Sequence, residues 1–481
     1  MIAIASPPRL KLLPVPAASD QIVTVAQMRA GEDALIAAGT SVDALMQTAG
    51  RGAAEWVWRV AAQRPVTVLC GPGNNGGDGY VIAEAIRERG GAVQVVAASE
   101  PKTAAARTAR GLFGSAVLGP DAAPEGEVLV DCLFGSGLTR PLRDGDCDLL
   151  AQLSASHATR IAIDLPSGVE SDTGLALNEH LPDYALTIAL GAWKYAHFLM
   201  PTAAKMGSLR RVGIGLNAIP SAARVLRKPR LTAPAPDEHK YKRGLLGVVG
   251  GEMLGAAFLA AKAAQGAGAG YVKLLYEGHT QQLPPDIVSD TRALDIALDD
   301  RRWASLLVGP GLGRDLFSLE RLALTLGAGV PTVVDADALM VIGPNQLAGH
   351  QCPLIATPHE GELVTLERAF ECGSGGSRAE RARTLAGASG MVVVAKGPDT
   401  VIAAPDGRLV LAPRASSWLS TAGTGDVLAG TIASRLACGV EAFEAACQGV
   451  WLHGEAARPA GPVFTAGQLA GAIASAYATC L

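Results

Sequence analysis

Val66-Thr67-Val68-Leu69-Cys70-Gly71-Pro72-Gly73-Asn74-Asn75-Gly76-Gly77-Asp78-Gly79 joins a short β-branched run to a turn with five glycines, two amides and a carboxylate. The run predicts a strand, and a helix is predicted from about Tyr80. Such a turn points successive backbone N–H groups at the positive end of the helix, which suits a phosphate. Glycine and asparagine also favour positive φ, so an ordinary βα turn uses them too. Five glycines with Asn-Asn and Asp exceed what that turn needs. Outward from this stretch, β-branched runs recur at residues 93–96, 128–130 and 161–163, and residues 20–58 carry helical patterning. This is the βαβ rhythm of a parallel sheet covered on both faces.

Two more acidic positions share that geometry. Asp131 ends one run and precedes Phe134-Gly135-Ser136-Gly137-Leu138-Thr139-Arg140-Pro141; Asp164 ends another and precedes Leu165-Pro166-Ser167-Gly168. In an open parallel sheet the carboxyl ends of neighbouring strands converge on one crevice. Asn75, Asp131 and Ser167 then offer several oxygens to one hard cation. Either aspartate alone is equally a helix or turn cap; repetition at three strand ends is what points to a site.

Between residues 217 and 240 the periodicity fails. LRKPRLTAPAPDEHK at 226–240 is basic, then proline-rich, then acidic, and sustains neither a helix nor a central strand. The boundary falls there, giving expected domains at 20–220 and 232–481. A second rhythm follows, with strands at 245–249, 271–275, 305–308, 332–334, 354–356 and 391–395 and a helix at 254–267. Thr421-Ala422-Gly423-Thr424-Gly425-Asp426 opens a further helix. Its glycines let backbone N–H groups face a phosphoryl oxygen, and Asp426 sits where it can accept a hydroxyl proton. The helix dipole favours the ionised carboxylate and a neighbouring phosphate the protonated one, a balance that can tune a base.

Partner motifs lie at other strand ends of this half: Lys396-Gly397-Pro398-Asp399-Thr400, Gly309-Pro310-Gly311-Leu312-Gly313 and Thr357-Pro358-His359-Glu360-Gly361-Glu362. A lone histidine is more often a satisfied structural residue; its strand-end neighbours favour a ligand contact for His359. Glu360 and Glu362 are open to two readings, water-mediated magnesium binding or plain solvation.

With 481 residues the chain is long enough for two full cores. Its 49% hydrophobic and 18% charged content excludes a disordered chain, and 45 acidic against 41 Lys/Arg residues give no electrostatic case for nucleic acid. Eight cysteines without paired spacing read as buried hydrophobes in a reducing compartment. Arg9 and Lys11 follow a short apolar start, the reverse of a signal peptide's order, and the prolines there suggest an extended arm. The uncharged end of the chain reads as a packed helix, not a membrane span. A cytoplasmic protein is expected.

GNNGGDG, VDCLFGSGLTRP and DLPSG, in that order, resemble the YjeF N-terminal domain, the NAD(P)H-hydrate epimerase. GTGD with KGPDT, GPGLG and TPHEGE resembles the YjeF C-terminal domain, the NAD(P)H-hydrate dehydratase of the ribokinase-like superfamily. The two resemblances cover nearly the whole chain. This chain has Gln47 where the first family usually has Glu, and Gly250-Gly251-Glu252-Met253 where the second often has Gly-Ser; residues 193–206 match poorly. The resemblance implies an α/β protein of two three-layer αβα domains, the first Rossmann-like and the second ribokinase-like. It implies that Asn74, Asn75, Gly76, Gly77, Asp78 and residues 135–141 (Gly135, Ser136, Gly137, Leu138, Thr139, Arg140, Pro141) hold the hydrated dinucleotide. Potassium would sit against Asn75, Asp131 and Ser167, with Asp164 at the damaged nicotinamide. In the second domain Ala256, Gly313, His359 and Asp426 would contact the hydrate. Lys396, Gly397, Pro398, Asp399, Thr400 and Gly425 would bind the adenine nucleotide, ADP or ATP, with Mg²⁺. The expected partners are small molecules, NADHX, NADPHX and an adenine nucleotide, and the chain is expected to form a homo-oligomer. The competing reading is a ribokinase-like small-molecule kinase with a non-catalytic N-terminal binding or scaffold domain.

Overall fold

Residues of the opening run alternate between two buried faces, and this alternation sets the layers. A computed structural model describes residues 18–122, 124–278 and 285–481; the arm expected at the start of the chain lies outside the described residues. The chain divides into two compact units, the first ending at Arg224 and the second beginning at Val225, with residues 198–200 counted in the second.

In the first unit the strands are β1 (Gln21–Val23), β2 (Val66–Cys70), β3 (Val93–Ala97), β4 (Val117–Leu118), β5 (Gly126–Cys132), β6 (His157–Ile163), β7 (Leu186–Leu190), β8 (Trp193–Lys194), β9 (Ser208–Val212) and β10 (Ala223–Val225). Seven form one sheet in the order β4-β3-β2-β5-β6-β7-β9, every neighbouring pair parallel. β1 pairs with β10 antiparallel and with β8 parallel. Val66, Val68, Val128 and Val130 pack against helices Val42–Ala61 and Asn74–Glu88, while Leu69, Val96 and Leu129 pack against Leu149, Leu150 and Leu153 of helix Asp144–Ser156. These are the three layers. The strand order reverses between β2 and β5, where an open parallel sheet leaves its crevice.

Two local features differ from the sequence expectation. The helix expected from about Tyr80 begins at Asn74, with Gly73 as its N-cap. A Cβ on Gly76 would lie 1.9 Å from the Gly71 carbonyl oxygen, and one on Gly79 2.7 Å from Cys70 Sγ. Close approach of helix to strand overrides the poor helix propensity of glycine. The strands β1, β4, β7, β8, β9 and β10 were not expected: β1, β4, β8 and β10 are two or three residues long, and β7 and β9 lack the repeated valines of β2, β3 and β5.

The second unit contains β11 (Leu245–Val249), β12 (Tyr271–Leu275), β13 (Val288–Asp290), β14 (Trp303–Val308), β15 (Thr332–Val334), β16 (Leu354–Ala356), β17 (Val392–Ala395), β18 (Val401–Ala403) and β19 (Leu409–Leu411). They lie in the order β13-β12-β11-β14-β15-β16-β17-β18-β19, parallel up to β17 and antiparallel beyond. Helices Leu254–Gly266, Thr424–Ala437 and Ala442–Ala460 share one core with Leu246, Val248, Leu307 and Val333. The order reverses between β11 and β14. Helix Ala466–Ala478 near the end of the chain buries Leu469 and Ile473. No helix among the described residues is long and apolar enough to cross a membrane.

Candidate active sites

Asp164 follows β6 directly, in the left-handed region at φ +66°. A non-glycine residue stays there only where its surroundings compel it. Its N–H donates to Ile188 O (2.7 Å), and its carbonyl accepts from His197 Nε2 (2.8 Å). Oδ2 accepts from Ser136 N (3.0 Å); Oδ1 accepts from Leu190 N (3.3 Å) and Lys194 Nζ. His197 Nδ1 accepts from the Lys194 backbone N–H (2.9 Å), so Nε2 carries the proton. Burial, with the Lys194 charge beside it, brings His197 down to about 4, leaving a neutral ring at pH 7. Lys194 is 1% exposed, and its ammonium also donates to Leu190 O (2.6 Å). Burial alone would push Asp164 up. The charge and hydrogen bond of Lys194, with the Ser136 amide, outweigh it and hold the carboxyl below its ordinary range.

Other expected residues gather at the same point. A Cβ on Gly135 would lie 3.0 Å from Asp164 Oδ2 and 3.3 Å from Asn75 Oδ1, so carboxylate and amide face one position. Both polar atoms of the Asn75 amide are buried without a hydrogen-bond partner. Asp131 is fully buried. Its Oδ1 accepts from Leu133 N (3.1 Å) and Ser167 Oγ (2.7 Å), and its Oδ2 from Ser167 N (3.0 Å) and Tyr184 OH (2.6 Å). Burial pushes the Asp131 carboxyl up against these four neutral donors. Asp78 is pushed well up by burial and by the charges of Asp164 and Glu32. The carboxyls of Asp164 and Asp78 are thus pushed in opposite directions, the kind of division acid–base chemistry uses. Gly76 and Gly77 are buried under the strand ends, and Asn74 is exposed. Of residues 135–141 only Gly135 and Ser136 approach Asp164; Leu138 joins the core, while Gly137, Thr139, Arg140 and Pro141 are exposed.

In the second unit, Asp426 lies in the first turn of helix Thr424–Ala437, after Gly423 at φ +89°. Burial and the Asp335 charge, opposed by Lys396, raise its carboxyl to about 6. Lys396 follows β17. Its Nζ donates to Asp335 Oδ1 (2.6 Å), lies 3.8 Å from Glu362 Oε2, and would be 3.5 Å from a Cβ on Gly425. Asp335 follows β15 and also accepts from Thr357 Oγ1 (2.7 Å) at the end of β16. Asp337 accepts from Gly313 N (3.1 Å) and pairs with Arg314 (2.9 Å). Met253 N donates to Gly311 O (2.9 Å), which joins the loops after β11 and β14 beside Ala256 in the first turn of helix Leu254–Gly266.

His359 is the N-cap of helix Glu360–Ala369. Its Nδ1 accepts from Gly361 N (2.9 Å) and Glu362 N (3.2 Å), so the proton sits on Nε2, on a side chain that is 63% exposed. Glu360, half-exposed, pairs with Arg378 (3.0 Å) and Arg381 (2.6 Å). In the turn after β17, Asp399 pairs with Arg378 Nε (3.1 Å), and Arg378 Nη1 donates to Lys396 O (2.7 Å). Gly397 N donates to Thr400 Oγ1 (3.2 Å), and Gly397 and Pro398 are exposed.

Lys194, His197 and Tyr184 in the first crevice, and Asp335, Asp337 and Arg378 in the second, are absent from the residues expected from sequence. Lys194 comes four residues after the end of β7, so recognising that strand would have exposed it. Asp335 follows a run already read as a strand and carries the same strand-end signature as Asp131.

Residues 246–477 match the family model described as NAD(P)H-hydrate dehydratase, and residues 42–196 match that of the YjeF-related protein N-terminus. The bifunctional NAD(P)H-hydrate repair enzyme Nnr of Mycobacterium leprae (strain TN) is 33% identical over 453 residues, covering 90% of this chain and 93% of that protein. The enzyme of the same name from Gloeobacter violaceus is 35% identical over 478 residues, covering 90% and 92%. Among solved structures, the ADP/ATP-dependent NAD(P)H-hydrate dehydratase of Bacillus subtilis, co-crystallised with ATP/Mg²⁺, is 27% identical with a TM-score of 0.45. It covers 52% of this chain and 95% of that one.

Proposed function

The chain belongs to the family of bifunctional NAD(P)H-hydrate repair enzymes, and we propose that each of its two activities resides in one of these crevices. It epimerises R- and S-NAD(P)HX and dehydrates S-NAD(P)HX to NAD(P)H. Epimerisation belongs to the first unit. Asp164 Oδ2 would face the hydrated nicotinamide, where an ionised carboxylate can shuttle a proton and steady a transient cationic ring. Asn74, Asn75, the glycines beside them and residues 135–141 would hold the dinucleotide at the helix start, where backbone N–H groups suit its phosphates. The observation that carries this assignment is the strained, ion-paired Asp164 facing Asn75 across Gly135.

Asn75, Asp131 and Ser167 fit the monovalent cation expected there. The Asn75 amide oxygen is buried and unpartnered, and the buried Asp131 carboxylate has only neutral donors. Potassium held by these three would supply the countercharge that keeps Asp131 ionised.

Dehydration belongs to the second unit. Asp426 would take the proton of the hydrate's hydroxyl as that oxygen accepts a phosphoryl group from ADP or ATP. Phosphate then leaves far more readily than hydroxide would. A base raised to about 6 is near the value that serves at neutral pH. Helix-start amides beside Gly425 and the Lys396 ammonium would stabilise charge on the transferred group. The nucleotide would bring Mg²⁺ on its phosphates, with Asp335, Asp337 and Glu362 as the acidic residues closest in charge to Asp426. His359 Nε2–H and Gly313 would contact the hydrate, and the turn from Lys396 to Thr400 the nucleotide.

Recovery of reduced-nicotinamide absorbance tests both halves. Supplied with R-hydrate and nucleotide, Asp164→Asn should bind dinucleotide but convert R to S only at a residual rate, while still dehydrating pure S-hydrate. Asp426→Ala should keep its nucleotide yet lose at least ~10²-fold in dehydration, the lower bound of a general-base contribution. Unimpaired R-to-S conversion in the first variant, or full dehydration in the second, removes that aspartate from its role.

A further inference from the structure

We propose that Lys194 and His197 form a clamp behind Asp164 that occupies Oδ1 and the main chain and leaves Oδ2 as the oxygen meeting the substrate. Lys194 is then a positioning residue for epimerisation. The inference rests on the assignment of Asp164 made above.

A carboxylate oxygen readily takes two donors. Oδ1 has both from the segment after β7, Lys194 Nζ and Leu190 N, whereas Oδ2 is met from the opposite side by Ser136, through its amide and with its hydroxyl also bonding the carboxylate. The free side of Oδ2 looks toward Gly135, where a side chain is absent and the unpartnered Asn75 amide also points. Lys194 is held in turn: its ammonium is shared between Asp164 and Leu190 O, and its backbone N–H is taken by His197 Nδ1. The other nitrogen of that ring donates to the carbonyl of Asp164, so one imidazole fixes the main chain of both charged residues. The left-handed backbone of Asp164 is retained through this arrangement.

Stability does not explain the pair. A buried ion pair generally gains little over apolar residues of the same volume, and a left-handed aspartate carries a conformational cost. Both features sit at one residue of one crevice, which is where strain serves placement. The charged groups facing the pair from neighbouring elements are Asp78 on helix Asn74–Glu88 and Glu32 on helix Val25–Ala37, both carboxyls raised by burial. Neither replaces the cation, so loss of Lys194 removes the ammonium bonded to Asp164 and leaves it beside these acids, with Arg29 exposed near Gly137.

The test compares Lys194→Met, Asp164→Asn and the double variant in the full chain, following R-to-S conversion by separation of the two hydrates. The clamp requires Lys194→Met to lose at least ~10²-fold in kcat with little change in KM. It also requires the double variant to be no slower than Asp164→Asn, because Lys194 acts only through that carboxylate. A Lys194→Met enzyme with the parent rate overturns the proposal. So does a double variant slower than Asp164→Asn, which would place Lys194 on the substrate itself. If Lys194→Met fails to fold with its carboxylate unpaired, the charge-balanced double variant decides by the same comparison. Dehydration of S-hydrate reports on the second unit throughout. Parent-rate epimerisation by Asp164→Asn would instead sink the assignment of Asp164, a result distinct from failure of the clamp.

Discussion

Asp164 and Asp426 are the same amino acid, one directly after an inner strand and the other in the first turn of a helix, yet they are pushed in opposite directions. Burial pushes both up. Asp164 is brought back below the ordinary range because Lys194 bonds it directly, whereas Asp426 has no such bond among the described residues and faces the charges of Asp335, Asp337 and Glu362. Lys396 is the cation nearest in effect, and it is committed to Asp335. The base form of Asp426 is lost as pH falls through about 6, so dehydration should show an acid limb there. Asp335→Asn removes a negative charge and releases Lys396 toward the remaining acids. Both effects favour the ionised form of Asp426, so the limb should move to lower pH in a kcat/KM profile. A limb that stays in place would mean that another group titrates.

Helix packing sets where these aspartates stand, and glycines govern how closely the helices approach. Gly430 lies on helix Thr424–Ala437, which carries Asp426, and a Cβ there would be 2.0 Å from the Ala260 carbonyl oxygen of helix Leu254–Gly266. The contact is with backbone, so the helices must separate. Gly430→Ala should cost about 1–3 kcal/mol in the second unit and depress dehydration more than epimerisation. Gly471 on helix Ala466–Ala478 is the contrasting case: it is exposed, and a Cβ there meets nothing within 4 Å. Gly471→Ala should stabilise by about 0.5–1 kcal/mol, because alanine gives up less backbone freedom in a helix. Denaturant melts of the two variants should therefore shift in opposite directions. Equal shifts would mean that the helix contact is not what Gly430 protects.

For the molecule as a whole, the pH dependence of stability is a balance of opposing protonations. In the second unit, burial lowers His453 from 6.5 to about 4, with its Nε2 donating to Thr424 O (2.9 Å), and raises Asp426 from 3.8 to about 6. Between pH 6.5 and 4 the unfolded chain binds the His453 proton that the folded chain refuses, so this term loses stability as pH falls. Between pH 6 and 3.8 the folded chain holds the Asp426 proton that the unfolded chain releases, so this term gains stability as pH falls. Each is worth ~3 kcal/mol at most and the two oppose. Acidifying from pH 6.5 to 4 should therefore weaken Asp426→Asn more than the parent, and should strengthen His453→Gln relative to it. Hydrogen exchange in helix Ala442–Ala460 measures this; parallel responses in the two variants would refute the cancellation.

Much of the α/β architecture and the location of both crevices was legible in local chemistry. A β-branched run, a glycine turn and an acid recur within a few residues of one another, and strand ends in a parallel sheet must converge. Asp131, Asp164 and Asp426 were found this way because each sits next to its own signal. Lys194 was not, because β7 lacks the repeated valines that marked β2, β3 and β5, and nothing in the residues around Lys194 tells that its ammonium reaches a carboxylate thirty positions earlier. The commitment of Glu360 to two arginines was hidden for the same reason, whereas the capping by His359 is a contact between near neighbours that went unread because histidine is not among the preferred cap residues. Helix and strand signals act between near neighbours in the chain, whereas the partner of a buried charge depends on strand order and register, which exist only once the sheet has formed.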